Sequence, residues 1–321
     1  MFRTELKPEP SADKISHHHQ LLTIGSCFAQ VIGEKLRQNK FEVLSNPFGT
    51  IFNPVSIFKL LETAHKKDAS LLNTYVENNG LYFNHHLHSD FYKESKTALE
   101  NDVKNTIDQV HHQLLKSDYL LITLGTAYVY RFKETGEIVA NCHKVPSDQF
   151  VKELLSVQDI INAFDQFYTS LSGQALKIIL TVSPVRHIKE TIPLNAASKA
   201  VLRLACHELA QKYNQIQYFP AYEIMIDDLR DYRFYKEDMI HPTEQAENYI
   251  WEKFSDVYFN SSTKEIIEEW SSLRKAITHK PLRPNSAEYI KFLKETLNRL
   301  KLLNQKLNVS EEIKNITEKI Q

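Results

Sequence analysis

The sequence predicts an α/β fold with a mostly parallel sheet, followed by a helical extension. Short apolar runs alternate with longer stretches of helical periodicity in the first part of the chain, which is typical of β-α-β units. From residue 262 onward, helical patterns continue without strand patterns. The 321 residues, 42% of them hydrophobic and 25% charged, are enough to bury a large core. We therefore expect an α/β domain over residues 1–261 and a helical extension over 262–321.

The individual elements follow from length and periodicity. Five short apolar runs predict strands: 21–24, 41–44, 119–124, 177–182 and 216–219. Five longer stretches predict helices: 28–39, 54–65, 157–171, 196–213 and 243–259. In open sheets of this kind, ligands bind beyond the carboxyl ends of the parallel strands. Functional residues are therefore expected directly after the strands.

One interruption of the β-α pattern predicts a hairpin. Residues 128–132 and 137–142 alternate in polarity on either side of a turn that contains Gly136. Such a hairpin would return Asn141 and His143 toward Tyr130 and Tyr128. We therefore expect Asn141 and His143 near the carboxyl end of the strand at 119–124.

Composition excludes several classes of partner. Lys and Arg (39) nearly balance Asp and Glu (40), so no basic surplus favours nucleic acid or anionic lipid. No stretch approaches the roughly 20 apolar residues of a membrane span, and the polar N-terminus does not resemble a signal peptide. The three cysteines are too widely spaced for a disulfide framework or a zinc cluster. These features predict a cytoplasmic protein without nucleic-acid or membrane partners.

The corner Gly25-Ser26 joins the first predicted strand to the first predicted helix. A hydroxyl at such a corner lies near a helix N-terminus, where negative charge that develops during a reaction is stabilised. This position predicts Ser26 as a nucleophile. The alternative is that Ser26 only caps the helix. Cys27 is intrinsically the better nucleophile, but a residue after the corner is expected to turn away from the cleft and pack as a small apolar side chain.

A carboxylate and a histidine lie together late in the chain. Asp238 precedes His241 by three residues, so its carboxylate can bind one imidazole nitrogen and leave the other free for a hydroxyl. The alternative is a surface pair that caps the helix beginning near Pro242. With Ser26 as nucleophile, His241 is predicted as general base and then acid, and Asp238 as the group that fixes its tautomer. This chemistry requires no cofactor or metal.

The order of these residues resembles the SGNH hydrolase superfamily, and the five residues 25–29 resemble the GSCFA family placed within it. The resemblance covers roughly residues 20–260. Further stretches that carry it are 46–50 with 53–54, 88–89, 124–127, 141–146, 183–187 and 232–235. It implies a flavodoxin-like three-layer α/β/α sandwich and acyl-ester chemistry, with acetyl esters of carbohydrates as the substrates that the superfamily suggests.

The chain departs from the superfamily at the usual Gly-x-Asn-Asp motif, where it has Gly125-Thr126-Ala127-Tyr128. The asparagine that normally stabilises the oxyanion is therefore absent from this position. We expect Asn141 to replace it, together with the main-chain N–H groups of Gly49 and Ser26. Asn46 and Asn53 remain alternatives, since either one can instead form a turn beside proline.

Two more groups of residues are candidates for substrate binding or for metal binding. The resemblance implies that His88 lines the cleft, although the cluster of His85, His86 and His88 lacks recognisable metal-ligand spacing. Arg186 and His187 follow a predicted strand and are expected to hold an anionic or hydroxyl-rich substrate. Solvation of the loop is the alternative for this pair.

We therefore predict a serine esterase. Acyl transfer would use the same residues, and a catalytically silent binding module is the alternative that the missing Gly-x-Asn-Asp motif supports. In the helical extension, one apolar stripe needs a partner surface, which the main domain or a second copy in a homo-oligomer would supply. The stripe consists of Tyr289, Phe292, Leu293, Leu297, Leu300, Leu303 and Leu307.

Overall fold

A computed structural model of the chain describes residues 4–171, 173–284 and 286–320. These residues form two compact units that are discontinuous in sequence. The larger unit comprises the described parts of 1–8, 20–34 and 43–253, and the smaller unit those of 9–19, 35–42 and 254–321. The boundary predicted between residues 261 and 262 stays a prediction.

Strands and helices are interspersed as far as residue 258. The strands are β1 (Gln20–Gly25), β2 (Glu42–Ser45), β3 (Tyr75–Asn78), β4 (Leu81–Asn84), β5 (Tyr92–Lys93), β6 (Tyr119–Leu124), β7 (Tyr128–Phe132), β8 (Ile138–Val139), β9 (Phe150–Leu154), β10 (Lys177–Val182) and β11 (Ile216–Tyr218). The helices are α1 (Cys27–Gln38), α2 (Pro54–Lys66), α3 (Lys96–Lys116), α4 (Val157–Ser170), α5 (Ile192–Lys212), α6 (Ala221–Glu223), α7 (Glu244–Tyr258), α8 (Ser261–Thr278), α9 (Ala287–Leu303) and α10 (Ser310–Ile320).

The main sheet contains the five strands that the sequence predicts, in the order β2-β1-β6-β10-β11. β1 pairs with β6, β6 with β10, and β10 with β11, each in parallel. Numbered along the chain, the five strands follow the order 2-1-3-4-5. The order therefore reverses between β1 and β6, where Gly25 pairs with Thr123.

The apolar core of the larger unit explains why these segments fold as they do. β6 is buried along its whole length, as expected for a central strand of a parallel sheet. α2 begins at a capped turn, since Asn53 Oδ1 accepts a hydrogen bond from Ser56 N–H and proline occupies the first turn. Its Phe58 packs against Phe164 and Phe167 of α4. The predicted α/β class is confirmed.

Two small antiparallel sheets accompany the main sheet. One has the order β3-β4-β5 and the other β8-β7-β9. The predicted hairpin is confirmed, because β7 pairs with β8 and Tyr130 lies opposite Val139. Sequence patterns did not predict β3, β4, β5, β9 or α3. The strands are short, but α3 repeats its buried residues at helical spacing, at Leu99, Val103, Ile107, Val110 and Leu114.

In the smaller unit, the predicted apolar stripe of α9 packs with α8 and α10. Its buried side chains share one core with Trp270, Leu273, Val309 and Ile316. The stripe therefore has partner side chains within its own unit, and self-association stays a prediction. None of the described helices is long and apolar enough to cross a membrane.

Candidate active site

The corner between β1 and α1 is held tightly against β6. Gly25 has φ +136°, and a Cβ atom at this position would lie 2.1 Å from Thr123 O, so only glycine fits. Ser26 N–H donates to the same Thr123 oxygen at 3.0 Å. Asn46 Oδ1 accepts from Gly25 N–H at 2.9 Å, and Asn46 Nδ2 lies 3.4 Å from Ser26 O. These contacts fix the direction in which the next side chains project.

Ser26 caps the helix and does not face a cleft. Its side chain is 1% exposed, and its Oγ accepts a hydrogen bond from Phe28 N–H at 3.3 Å. The expectation that the corner presents Ser26 is therefore wrong. The reason is local: Ser26 Oγ bonds back to Phe28 N–H, so this side chain caps the first turn of α1. Cys27, the next residue, is turned by roughly 100° about the helix and projects into the pocket.

Cys27 occupies the position that was expected for Ser26. Its side chain is half-buried and lines a pocket, and its Sγ lies 3.8 Å from His241 Nε2. This distance fits a hydrogen bond that involves sulfur. The expectation that Cys27 turns away from the cleft is wrong as well.

Asp238 and His241 form the pair that the sequence predicts. Asp238 Oδ2 lies 2.7 Å from His241 Nδ1, and Oδ1 accepts from the main-chain N–H groups of His241 at 3.0 Å and Ile240 at 2.9 Å. Met239 between them has φ +56°, which closes this tight turn. The main-chain and side-chain hydrogen bonds of His241 hold the pKa of the Asp238 carboxyl well below its usual range. Asp238 therefore stays ionised and orients the imidazole.

A second loop braces the histidine. Arg186 N–H, beyond the end of β10, donates to Ile240 O at 3.2 Å. The ends of β1, β6 and β10 and the loop of His241 thus meet at one edge of the sheet. This edge is where the order of the strands reverses.

The pocket at this edge has a volume of about 360 Å³. Apolar and aromatic side chains dominate its lining, with Cys27 and His241 on its wall. The other lining residues are Phe52, Asn53, Thr126, Tyr128, Val129, Tyr130, Val139, Ala140, Val185, Arg186, His187, Ile188, Lys189 and Ile240. A mostly apolar pocket with a few convergent polar groups is typical of a small-molecule site.

Arg186 and His187 both line the pocket, as the sequence suggested for a substrate-binding pair. Burial, and then the positive charges of Lys199 and of nearby groups, lower the pKa of His187 to about 3. Its ring stands edge-on to Phe52 at 5.2 Å. Among the described residues, its buried Nε2 atom has no hydrogen-bond partner. His187 is therefore a neutral imidazole at the pocket wall, with Nε2 buried.

The proposed oxyanion donors are arranged differently from the prediction. Gly49 N–H donates to Asn46 O at 2.8 Å, and Ser26 N–H is bound to Thr123 O, so neither amide is available. Asn53, one of the two alternatives, lines the pocket. Its Oδ1 caps α2, whereas its Nδ2 makes only a 3.4 Å contact with Val139 O. Asn53 thus retains donor capacity toward the pocket.

Asn141, His143 and His88 are not among the described residues that line the pocket. Asn141 Oδ1 accepts from His143 N–H at 2.9 Å, which closes the turn after β8. His143 is buried, its Nε2 lies 2.8 Å from Asn84 O, and burial lowers its pKa to about 4. His88 pairs with Asp90 at 3.2 Å. The hairpin forms as expected, but it does not carry these side chains to the site.

Lys199 is a residue that the sequence analysis missed. It is fully buried on α5, and its Nζ donates to Gly125 O at 2.7 Å and to Ser183 O at 2.8 Å. Burial lowers its pKa to about 7. The available signal was its position: a lysine at 199 lies on the same helical face as Leu202, Cys206 and Leu209, which are buried.

The thiol of Cys27 experiences opposing effects. Burial raises its pKa, whereas the main-chain N–H groups of Cys27 and Phe28 and the charges of Lys199 and Lys236 act in the opposite direction. Burial is the larger effect, so the thiol is protonated at rest. Removal of its proton therefore requires a base within reach, and His241 Nε2 is in contact.

The part of the chain that the structure describes shows no metal site. No group of three or more His, Cys, Asp or Glu side chains there is arranged to hold a metal ion. In the histidine cluster, His86 Nε2 lies 2.7 Å from the Thr74 hydroxyl, and His85 Nδ1 lies 2.8 Å from Asn141 O. These histidines are engaged in structural hydrogen bonds.

Comparison with known proteins gives two adjoining matches. The family model described as "GSCFA family" matches residues 20–254, well over half of the chain. The model described as "GSCFA domain protein, C-terminal domain" matches residues 270–321. A search of curated proteins gives no match.

Proposed function

The chain belongs to the GSCFA family, and from that membership and the geometry around Cys27 we propose that it hydrolyses acyl esters or thioesters through an acyl-enzyme on Cys27. The contact of 3.8 Å between Cys27 Sγ and His241 Nε2 is the observation that carries this proposal. With the 2.7 Å contact between His241 Nδ1 and Asp238, it completes a nucleophile, a base and an orienting carboxylate.

The reaction follows from these contacts. His241 Nε2 takes the proton of the Cys27 thiol as sulfur attacks the carbonyl carbon of the substrate. The tetrahedral intermediate expels the alcohol or thiol, which receives that proton from His241, and an acyl-thioester remains on Cys27. His241 then takes a proton from water, which attacks the acyl carbon, and the proton returns to the Cys27 sulfur as the carboxylic acid leaves. Asp238 keeps Nδ1 protonated throughout.

Negative charge on the tetrahedral intermediate needs hydrogen-bond donors. Phe28 N–H is bound to Ser26 Oγ and Ala29 N–H to Ser26 O, which leaves Cys27 N–H at the N-terminus of α1. We assign Cys27 N–H and Asn53 Nδ2 as the oxyanion donors, in place of Asn141, Gly49 and Ser26. Lys199 is assigned a supporting role, because its charge favours the thiolate.

The sheet supports a likeness to the SGNH fold. The strand order 2-1-3-4-5 is that of flavodoxin-like folds, whose ligands bind where the order reverses. Cys27 follows β1 and Thr126 follows β6, on the two sides of that reversal. We therefore propose a flavodoxin-like α/β/α sandwich of the SGNH type, with the nucleophile at the usual corner but changed from an oxygen to a sulfur.

The substrate class is an acyl compound with an aliphatic part, because five valine and isoleucine side chains line the pocket together with aromatic ones. Esters of carbohydrates remain within this class. Acyl transfer would use the same residues, with an acceptor hydroxyl in place of water. A silent binding module is the second candidate function, and the raised pKa of the Cys27 thiol favours it.

Turnover of a panel of substrates tests the proposal. Purified protein would be assayed with short-chain aryl esters, the matching thioesters and acetylated sugars, with and without an alcohol acceptor in excess. We expect Cys27→Ala to abolish turnover and Ser26→Ala to retain it. New ester formed from the alcohol would identify a transferase. No turnover in any assay and no acyl adduct on Cys27 would support the binding module.

The state of the cysteines bears on where the protein is located. All three cysteines, Cys27, Cys142 and Cys206, are free thiols in the structure. Free thiols persist in the cytosol and are oxidised in secreted proteins. We therefore propose a cytoplasmic location.

A further inference from the structure

We propose that the pocket beside Cys27 binds the anionic end of its ligand, a carboxylate or a phosphate, on the guanidinium of Arg186. This inference rests on the proposed function for its catalytic meaning, since it specifies the substrate of the same site. The ligand would combine an aliphatic part with one negatively charged group. Three independent features of the described residues carry it: how Arg186 is held, what it lacks and what surrounds it.

Arg186 is held rigidly at the pocket wall. Its guanidinium lies 3.8 Å from the centre of the Tyr235 ring and 5.4 Å from the centre of the Tyr232 ring. One guanidinium nitrogen lies 3.4 Å from Met239 O, and the main-chain N–H donates to Ile240 O. Stacking on tyrosine orients a guanidinium without neutralising its charge. The fork of donors is therefore preorganised.

Arg186 has no carboxylate as an ion-pair partner among the described residues. Some other arginines of the described chain are paired with carboxylates: Arg131 with Glu153 at 3.0 Å and Arg299 with Glu269 at 3.0 Å. Arg203 is the closest parallel, since its guanidinium lies 4.1 Å from the Tyr218 ring and also 2.7 Å from Glu223. Within the described ranges, Arg186 stacks on tyrosine in the same way but has no carboxylate within ion-pair distance. A planar fork of this kind matches a carboxylate or phosphate of a ligand.

The surroundings of Arg186 are positive. The described lining of the pocket includes Arg186 and Lys189 but no Asp or Glu. The Asp238 carboxylate is bound to His241. Phe52, Val139 and Ile188 provide apolar wall in the same pocket. Such a lining attracts an anion and accommodates the aliphatic chain that connects it to the reacting carbonyl.

Two substrates that differ only in charge would test this inference. The aryl thioester of glutarate carries a free carboxylate, and the same thioester of monomethyl glutarate does not. In the wild type we expect kcat/KM to be roughly tenfold to a hundredfold higher for the anionic substrate, as for a hydrogen bond to a charged group. Arg186→Met should bring this ratio close to one. Arg186→Lys, which keeps the charge but loses the fork, should give an intermediate ratio.

Arg203→Met is the matched control, because it removes a guanidinium that stacks on tyrosine in the same way outside the pocket. Its ratio should equal that of the wild type. Equal kcat/KM for the two substrates in the wild type, or an undiminished ratio in Arg186→Met, would overturn the inference. Circular dichroism of each variant would confirm that it is folded.

A binding assay separates this inference from the proposed function. Iodoacetamide, which is neutral, would alkylate Cys27 in the presence of glutarate, inorganic phosphate or the neutral dimethyl glutarate. We expect one of the two anions to slow alkylation of Cys27 in the wild type but not in Arg186→Met, and the neutral diester to have no effect. The anion that protects identifies the ligand class. Cys142, which is half-buried outside the pocket, is the internal control.

The two assays fail in different ways. Protection of Cys27 by an anion without turnover of any thioester would refute the hydrolase and keep the anion site. Equal kcat/KM for the anionic and the neutral thioester, together with no protection of Cys27 by either anion, would refute the anion site and keep the hydrolase. Protection of Cys142 equal to that of Cys27 would show nonspecific binding and would also refute the anion site.

Discussion

Two regions of the larger unit that contain histidines differ in what surrounds each ring. Near the pocket, His241 is 41% exposed in its side chain and lies between the Asp238 carboxylate and the Cys27 thiol. Near β4, His85 and His143 are buried and hydrogen-bond to main-chain carbonyl oxygens of Asn141 and Asn84. One ring can exchange a proton, whereas the others connect segments of backbone.

This difference gives a criterion that separates catalytic from structural histidines in one chain. Burial lowers the pKa of His85 and His143, to about 4 for His143, so both are neutral near pH 7. A neutral ring bound to a carbonyl oxygen must keep its N–H to stay bonded. A ring with a carboxylate on one side and a nucleophile on the other is free to gain a proton. Counting histidines in a sequence does not reveal this distinction.

The largest expected effect is the loss of activity when His241, the histidine near the pocket, is removed. His241→Ala should lower kcat/KM on the order of 10⁴-fold, because the protonated thiol of Cys27 loses its base. The free energy of unfolding should change little, since the side chain is half-exposed. His143→Ala should do the reverse, with kcat/KM retained and stability reduced. Equal losses of activity in the two variants, both folded, would contradict the distinction.

Lys199 provides the second test, because it is the buried charge of the catalytic region. Its pKa falls from 10.5 to about 7, which corresponds to roughly 4 to 5 kcal/mol of destabilisation near neutral pH. The unfolded chain binds this proton below about pH 10.5 and the folded chain only below about pH 7. Wild-type stability should therefore fall as pH decreases between these values, and then stay level.

The measurement is the difference in unfolding free energy between the wild type and Lys199→Met, from urea denaturation at several pH values between 7 and 10. We expect this difference to shift by several kcal/mol in favour of the wild type as the pH rises. A constant cost from the unpaired oxygens of Gly125 and Ser183 adds to it at every pH. A difference independent of pH would show that Lys199 is not a destabilised charge.

The third test compares two asparagines, one from each region. Asn53 lines the pocket, whereas Asn141 closes the turn beside His143. Asn53→Ala should lower kcat by about 10²- to 10³-fold with little change in KM, as the loss of an oxyanion donor does. Asn141→Ala should affect stability and leave kcat nearly unchanged. A large loss of kcat only in Asn141→Ala would restore the arrangement predicted from the sequence.

The smallest effect concerns the buried histidines alone. The folded state holds His143 neutral down to about pH 4, whereas an unfolded imidazole binds a proton near 6.5. Stability should therefore fall as pH decreases from 6.5 to about 4, by on the order of 3 kcal/mol from this ring. His143→Gln should lose less stability over that range than the wild type. Parallel curves of unfolding free energy against pH would exclude this contribution.

The sequence predicts the fold class well, but it does not predict the direction in which single side chains point. The five strands of the main sheet, the hairpin at Gly136 and the contact between Asp238 and His241 all follow from local patterns and short spacing. The presence of Cys27 in the pocket, in place of Ser26, does not follow from such patterns. It depends on the helix cap: Ser26 Oγ accepts from Phe28 N–H, and a capping serine and a nucleophilic serine at such a corner have the same sequence pattern.

Lys199 and Asn141 show the other limit of prediction. Burial of Lys199 depends on the carbonyl oxygens of Gly125 and Ser183, which are 74 and 16 residues away in sequence. Asn141 does not line the pocket, because its main-chain N–H and oxygen bind to His85. His85 lies on a segment whose strands were not predicted. Both outcomes depend on contacts between distant segments, which periodicity and spacing do not report.

The most direct test of the account is the identity of the residue that carries the acyl group. Protein would be mixed with an activated thioester, quenched in acid and mapped by peptide mass spectrometry, with Ser26→Ala and Cys27→Ala in parallel. We expect the acyl mass on Cys27 in the wild type and in Ser26→Ala, and no adduct in Cys27→Ala. An acyl group on Ser26, or one that persists in Cys27→Ala, would contradict the central claim that Cys27 is the nucleophile.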